Sequence, residues 1–144
     1  MNELLLALQQ SELAQAMRQA RWLYPAVNTA HIFGIALLFG SLATLHLRTL
    51  GLVRGPDAAT LERLVTPVAA SGFLLAAASG AAMFTTDAVK YAGSSLFLAK
   101  MALLALGLVN VIWLKRKRAA RPAALVSLTV WSAAIICGRL IGYS

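Results

Sequence analysis

Four long apolar stretches govern what this chain can fold into. They run from about Pro25 to Leu47, Leu64 to Thr86, Ser94 to Leu114 and Pro122 to Tyr143. Each is about 20 residues or more, enough at about 1.5 Å per residue to cross about 30 Å of hydrocarbon. The 144 residues are 60% hydrophobic and 12% charged, whereas a soluble domain carries about 25% charge. A water-soluble fold would leave far more apolar surface exposed than it could hide. The connections between the stretches are short. The longest, Arg48 to Arg63, holds the turn formers Gly51, Gly55, Pro56 and Asp57. Short links make sequence neighbours antiparallel, so the expected fold is all-α: an integral membrane up-down four-helix bundle over residues 22–144.

Residues 1–21 are too polar to span. Leu5, Leu6, Leu13, Ala16 and Met17 gather toward one side of a helix, with Gln9, Gln10, Glu12 and Arg18 elsewhere. This pattern predicts one amphipathic interfacial helix at the amino terminus. Trp22 and Tyr24 follow at the expected membrane boundary. Pro25, Pro67 and Pro122 are read as first-turn prolines, where a missing N–H costs little. With Glu3 and Glu12 and no basic leading run, the segment does not read as a cleavable leader.

The net charge is +8. The first and third loops hold Arg48, Arg54, Arg63, Lys115, Arg116, Lys117, Arg118 and Arg121, against Arg18, Arg21 and Lys90 on the other side. That asymmetry predicts that the first and third loops are cytoplasmic and that both termini face outward, into the periplasm if the membrane is the inner membrane of a Gram-negative bacterium. The basic run Lys115 to Arg118 has no interleaved aromatics, so the excess charge is assigned to topology and lipid rather than to nucleic acid. The lone cysteine, Cys137, excludes an intrachain disulfide.

A polar layer interrupts the apolar stretches near the outward face. His31 and Lys100 each lie about 9 Å inside the start of their stretch, and Arg139 lies about 6–7 Å from the chain end. Asp87 closes the second stretch on the same side, and Asn28, Tyr24, Tyr91 and Tyr143 add hydrogen-bonding groups. Charge in a bilayer is costly and tends to face a partner, a cavity or a ligand. Each member also has a plain structural reading: Arg139 can snorkel, Asp87 can cap a helix, Asp87 and Lys100 can pair, and His31 can be a hydrogen-bonded packing residue. As a site, the layer contains one good metal or haem ligand, His31, and two cations able to hold carboxylates. Those cations disfavour a bare divalent ion.

The small residues Ala69 to Gly72 and Ala76 to Ala82 admit two readings, close helix packing or a slot for a flat cofactor. Packing is the stronger of the two, and Gly34 and Gly40 share the ambiguity. His46 lies about 22 Å along the helix from His31, so one ion cannot bind both. Its place beside Arg48 predicts an interfacial polar residue. No nucleophile–histidine–acid set, phosphate loop or dinucleotide fingerprint is present.

The segments WLYPAVNTAHIFGIALLFGSLATLHLRTLGL, SGFLLAAASGAAMFTTDAVKYAGSSLFLAKMALLALGLVN and SLTVWSAAIICGRLIGY resemble a bacterial family of small four-helix membrane proteins of unknown function. The matching positions are His31, Asp87, Lys100, Asn110, Gly138 and Arg139. His46 stands where that pattern has an acid. More distantly, His31, the glycine-containing second stretch, Lys100 and Asn110 are similar to the copper-resistance D membrane domain, and His31 and Lys100 are similar to positions of HemJ-type haem-b membrane proteins. These resemblances imply haem or copper handling without choosing between them.

The expectation is a membrane protein that binds haem b or a related redox cofactor for electron transfer or oxidation. His31 would be the metal ligand, and Lys100, Arg139, Asp87 and Asn28 would complete the cofactor site. Its partners would be the lipid bilayer and a periplasmic or membrane redox protein, with a homo-oligomer as a further option. The alternatives are a copper-handling or transport module, and a cofactor-free scaffold or anchor subunit.

Overall fold

The computed structural model describes the backbone of residues 2–117 and 121–143 and the side chains of residues 3–113 and 121–143. The side chains of Lys115, Arg116, Lys117 and Arg118, half of the charge on which the orientation rests, lie outside the described residues. Among those described the chain is helical and has no strand. The elements are α1 (Asn2–Gln9), α2 (Glu12–Gln19), α3 (Leu23–Leu50), α4 (Ala58–Thr85), α5 (Ala88–Gly93), α6 (Ser95–Lys117) and α7 (Arg121–Ile141). Four of them, α3, α4, α6 and α7, are long and apolar enough to cross a membrane.

The distribution of residues across these helices suits lipid rather than water. Phe33, Leu74, Val109, Leu125 and Ile136 are exposed, while Ala69, Ala123, Ala124, Ala134, Ser79 and Ser127 are buried. In water the large apolar side chains would be inside. Here small residues line the contacts and large ones face out, as in helices packed within lipid. The hydroxyls follow the same logic. Thr29, Thr44, Thr49, Ser71, Ser79 and Thr129 each donate to a carbonyl three or four residues back on their own helix. A polar group that satisfies itself locally can sit in hydrocarbon without a penalty of several kcal/mol.

Three expectations about the helices change. The amino-terminal segment is two helices, not one. Ser11 is the reason: its extended backbone (φ −60°, ψ 154°) starts α2, and its hydroxyl accepts from the Ala14 N–H at 3.3 Å. A short helix, α5, fills the second loop. Finally, α4 begins at Ala58 rather than near Leu64, which puts Pro67 well inside the helix instead of in its first turn. Asp57 sets this earlier start. Its carboxylate accepts from the Thr60 N–H at 2.9 Å and the Thr60 hydroxyl at 2.7 Å, and these bonds hold its carboxyl below the usual range. Both α3 and α4 are 28 residues long, or about 42 Å. Their ends therefore reach past a core of about 30 Å, or the helices tilt.

The chain forms two compact units. The first comprises Met1–Leu38 and Val68–Gly93, the second Phe39–Pro67 and Ser94–Ser144. In the first unit α3 and α4 run antiparallel and very close. A Cβ built on Gly34 would lie 2.5 Å from the Ala76 nitrogen, and one on Gly72 would lie 2.6 Å from the Leu38 nitrogen. Only glycine permits that approach of two backbones. In the second unit α6 and α7 pair antiparallel. Trp131 packs over Gly107, and the Asn110 side chain donates to the Ala123 carbonyl at 3.3 Å.

Candidate functional site

His31 is the best-defined polar group in the first unit. It is half-buried on α3 and faces α4. Its Nδ1 lies 2.8 Å from the Ala76 carbonyl and 3.1 Å from the Ser79 hydroxyl. A carbonyl can only accept, so Nδ1 carries a proton, and in the neutral form of the ring the lone pair then falls on Nε2. The ring is seated against Gly80, where a Cβ would come within 3.0 Å of the His31 Cε1. Ser79 is itself fixed, donating to the Leu75 carbonyl at 2.5 Å. Backbone carbonyl, hydroxyl and glycine seat together set the plane and the tautomer of one imidazole.

Three of the small residues of α4 are thereby accounted for. Gly72 and Ala76 are taken up by the backbone of α3, and Gly80 by the His31 ring. This is close packing, the stronger reading; the alternative, a slot for a flat cofactor, is not formed at Gly72, Ala76 and Gly80, because α3 fills those positions. Gly40 differs: a methyl group added there would meet nothing within 4 Å.

About two helical turns from His31, toward the end of the same unit, lies a second polar cluster. Tyr91 of α5 stacks on Phe84 with ring centroids 6.2 Å apart. Burial pushes the Tyr91 phenol up, and Tyr24 and the Asp87 carboxylate beside it add to the effect. Asp87 itself is half-buried ahead of α5, where its carbonyl accepts from the Tyr91 N–H at 3.0 Å. Asn28 is half-buried on α3 between Tyr24 and His31, at the four- and three-residue spacings that keep all three on one stripe.

The two cations belong to the second unit. Lys100 is half-buried on α6 and runs along Gly138 of α7, with Nζ 3.3 Å from where a Cβ at 138 would be. Glycine there leaves room for the ammonium. Arg139 is exposed. Its guanidinium lies over the Tyr143 ring at 5.0 Å from the centroid and donates to the Tyr143 hydroxyl at 2.8 Å. That is the snorkelling arrangement, with the charge turned toward the end of the helix. His31, Asn28 and Asp87 thus lie in the first unit and Lys100 and Arg139 in the second.

His46 corrects the sequence reading. Its position in the chain puts it at the interface beside Arg48, but it is buried, with Nε2 2.8 Å from the Ser127 hydroxyl of α7. Arg48 instead turns away to donate to the Pro56 carbonyl at 2.8 Å. Nothing local in the sequence marks this pair, since Ser127 is 81 positions away. One turn along α7 from Ser127, the buried Trp131 Nε1 has no hydrogen-bond partner among the described residues.

Among the described residues no three His, Cys, Asp or Glu side chains gather closely enough to hold a metal ion by themselves. The arrangement offers instead a single oriented imidazole. Comparison with known proteins finds no matching family model, no matching curated protein and no matching solved structure, so what the site does has to be argued from its own residues.

Proposed function

We propose that the chain is a small multi-pass protein of the bacterial inner membrane, an up-down four-helix bundle with periplasmic termini, that binds haem b or a related redox cofactor through His31. The observation that carries the proposal is the Nδ1–H bond to the Ala76 carbonyl. A ligating histidine is normally held this way: its second nitrogen donates to a carbonyl or carboxylate, which fixes the ring and raises the basicity of the ligating nitrogen. A half-buried ring with Nε2 as the basic atom would be able to hold the iron of such a cofactor. Such a group, when bound, supplies reversible one-electron chemistry.

The residues of the first unit have separate tasks in this reading. The Ala76 carbonyl and Ser79 hold the ring, and Gly80 gives it room. Asn28 and Asp87 offer a hydrogen bond and a negative charge on the side toward Tyr24. Lys100 and Arg139 are the proposed holders of carboxylates, a separate claim that charge-removing variants at those two positions test. The electron partner would be a periplasmic or membrane redox protein.

A donor set of one imidazole favours a cofactor that brings its own ligands over a bare copper ion, which wants several protein donors and prefers sulfur as copper(I). A cofactor-free scaffold is the second reading. It is favoured by the fact that both histidines bond to neighbouring helices, as packing residues would.

The test is a visible spectrum of detergent-purified protein, with and without haem supplementation, alongside elemental analysis. A Soret band that is lost in His31→Ala and kept in His46→Ala is the expected outcome. If wild type shows no band after supplementation, or His31→Ala gives the same band as wild type, the proposal is wrong.

A further inference from the structure

The amino-terminal helices carry an apolar surface that their own fold leaves uncovered. In the first unit α1 and α2 are fastened to the segment after α4. The Arg18 guanidinium donates to the Thr86 carbonyl at 2.9 Å and to the Gln9 carbonyl at 2.8 Å, and the Gln9 side chain accepts from the Val89 N–H at 3.4 Å. Ala14 and Met17 of α2 and Ala88 of α5 are buried. These contacts use the inward side of the pair. On another side of α1 Leu4 is 70% exposed and Leu8 37%, one helical turn apart and so on one stripe. Two leucines turned away from the core on one stripe of an eight-residue helix form an arrangement that water disfavours.

The position of these helices says what covers the leucines. Only residues 20–22 separate α2 from α3, the first of the four apolar helices. The contacts of Arg18 and Gln9 fall on Thr86 and Val89, directly after α4, the second of them. The pair is therefore tied to two membrane helices at their shared end, at headgroup level. Trp22, with the Arg21 guanidinium 5.3 Å from its ring centroid, marks the same level. The charges of the segment balance, Glu3 and Glu12 against Arg18 and Arg21, so the attraction is apolar rather than electrostatic.

We infer that α1 and α2 form a cap with two functional faces, one docked on α5 and the segment after α4 through Gln9 and Arg18, the other inserted through Leu4 and Leu8 into the lipid interface of the protein's own membrane. An amphipathic helix sits about 5–10 Å into the headgroup boundary. The membrane surface then helps hold the cap over the Tyr24–Asp87–Tyr91 end of the first unit.

The single cysteine makes the test direct. In a Cys137→Ser background, spin labels are placed by Leu4→Cys, Leu8→Cys and Gln10→Cys in the full chain, reconstituted in phosphatidylethanolamine–phosphatidylglycerol vesicles. Labels at 4 and 8 should collide more with oxygen than with a water-soluble nickel chelate, and the label at 10 should do the reverse. The depth at 4 and 8 should not change with the phosphatidylglycerol fraction. In the Leu4→Asp/Leu8→Asp variant, trypsin cleavage after Arg18 and Arg21 should speed up roughly tenfold, the factor expected for losing the hold of about one leucine. Nickel-dominated collision at 4 and 8 would show a water-facing cap and overturn the inference. Exclusion of both reagents would show a protein, either a second copy or a partner, in place of lipid, and would overturn it too. A depth that follows phosphatidylglycerol content, or unchanged cleavage in the double variant, would do the same.

Discussion

His31 and His46 sit on the same helix and are held in opposite ways. His31 is half-buried and gives its Nδ1 proton to a backbone carbonyl, an acceptor that cannot reverse its role. His46 is buried and meets a serine hydroxyl through Nε2, a partner that can donate or accept. The first arrangement fixes a tautomer and so defines a basic nitrogen. The second satisfies a polar group inside the protein without choosing one. Burial alone therefore does not separate a candidate ligand from a packing residue. The chemistry of the acceptor does.

The largest effect is expected where the His31 arrangement depends on backbone proximity. Gly34→Val puts side-chain atoms where the Ala76 nitrogen and the Gly72 carbonyl already are, at 2.5 and 2.8 Å from the first added carbon. The helices must separate, and with them the reach of His31 to Ala76. The expected loss is about 3 kcal/mol, the upper end of the usual range for overpacking, read as a lower thermal midpoint in detergent. Gly40→Val, on the same helix with open space around it, is the control and should cost little. Equal midpoints for the two variants would mean that close approach is not what seats His31.

The next effect tests His46 as a packing residue. Ser127→Ala strands a buried ring nitrogen, which costs about 1–3 kcal/mol. Replacing both partners, His46→Leu with Ser127→Ala, removes the unmet group and should recover part of that loss. No recovery in the double variant would show that His46 does more than satisfy Ser127, and would weaken its contrast with His31.

How much of this was legible in the sequence depends on the range of the interaction. The four long apolar helices were legible, because hydropathy over about 20 residues is a property of the chain itself. Their ends were less so. Asp57 starts α4 ahead of the apolar window by a local cap, and Ser11 breaks the amino-terminal helix in the same way; both residues are capping types, but a cap is recognised only once the helix is known. Close packing at Gly34 and Gly72 is the favoured reading of the small residues, and the backbone distances carry it. The polar layer rests on depth alone, and depth does not say which way a side chain turns. Arg139 turns to Tyr143 four residues on, Lys100 lies along Gly138, and His46 finds Ser127. The last two are tertiary pairings with no mark in the local sequence.

The smallest effect bears most closely on the His31 tautomer. Ser79 lies 3.1 Å from Nδ1, but its hydroxyl proton is already committed to the Leu75 carbonyl at 2.5 Å. Toward the ring it can only accept, and it shares the Nδ1 proton with the nearer Ala76 carbonyl at 2.8 Å. Ser79→Ala removes the weaker half of a shared bond and leaves the Nδ1 proton an acceptor. The cost should stay below about 1 kcal/mol, under that of an ordinary neutral hydrogen bond. Imidazole nitrogen-15 chemical shifts should still report Nδ1 as the protonated nitrogen, and any band carried by His31 should survive. A switch of the proton to Nε2 in this variant would mean that the hydroxyl, not the carbonyl, sets the ring. His31 would then be held no differently in kind from His46, and the case for Nε2 as a ligand would lose its basis.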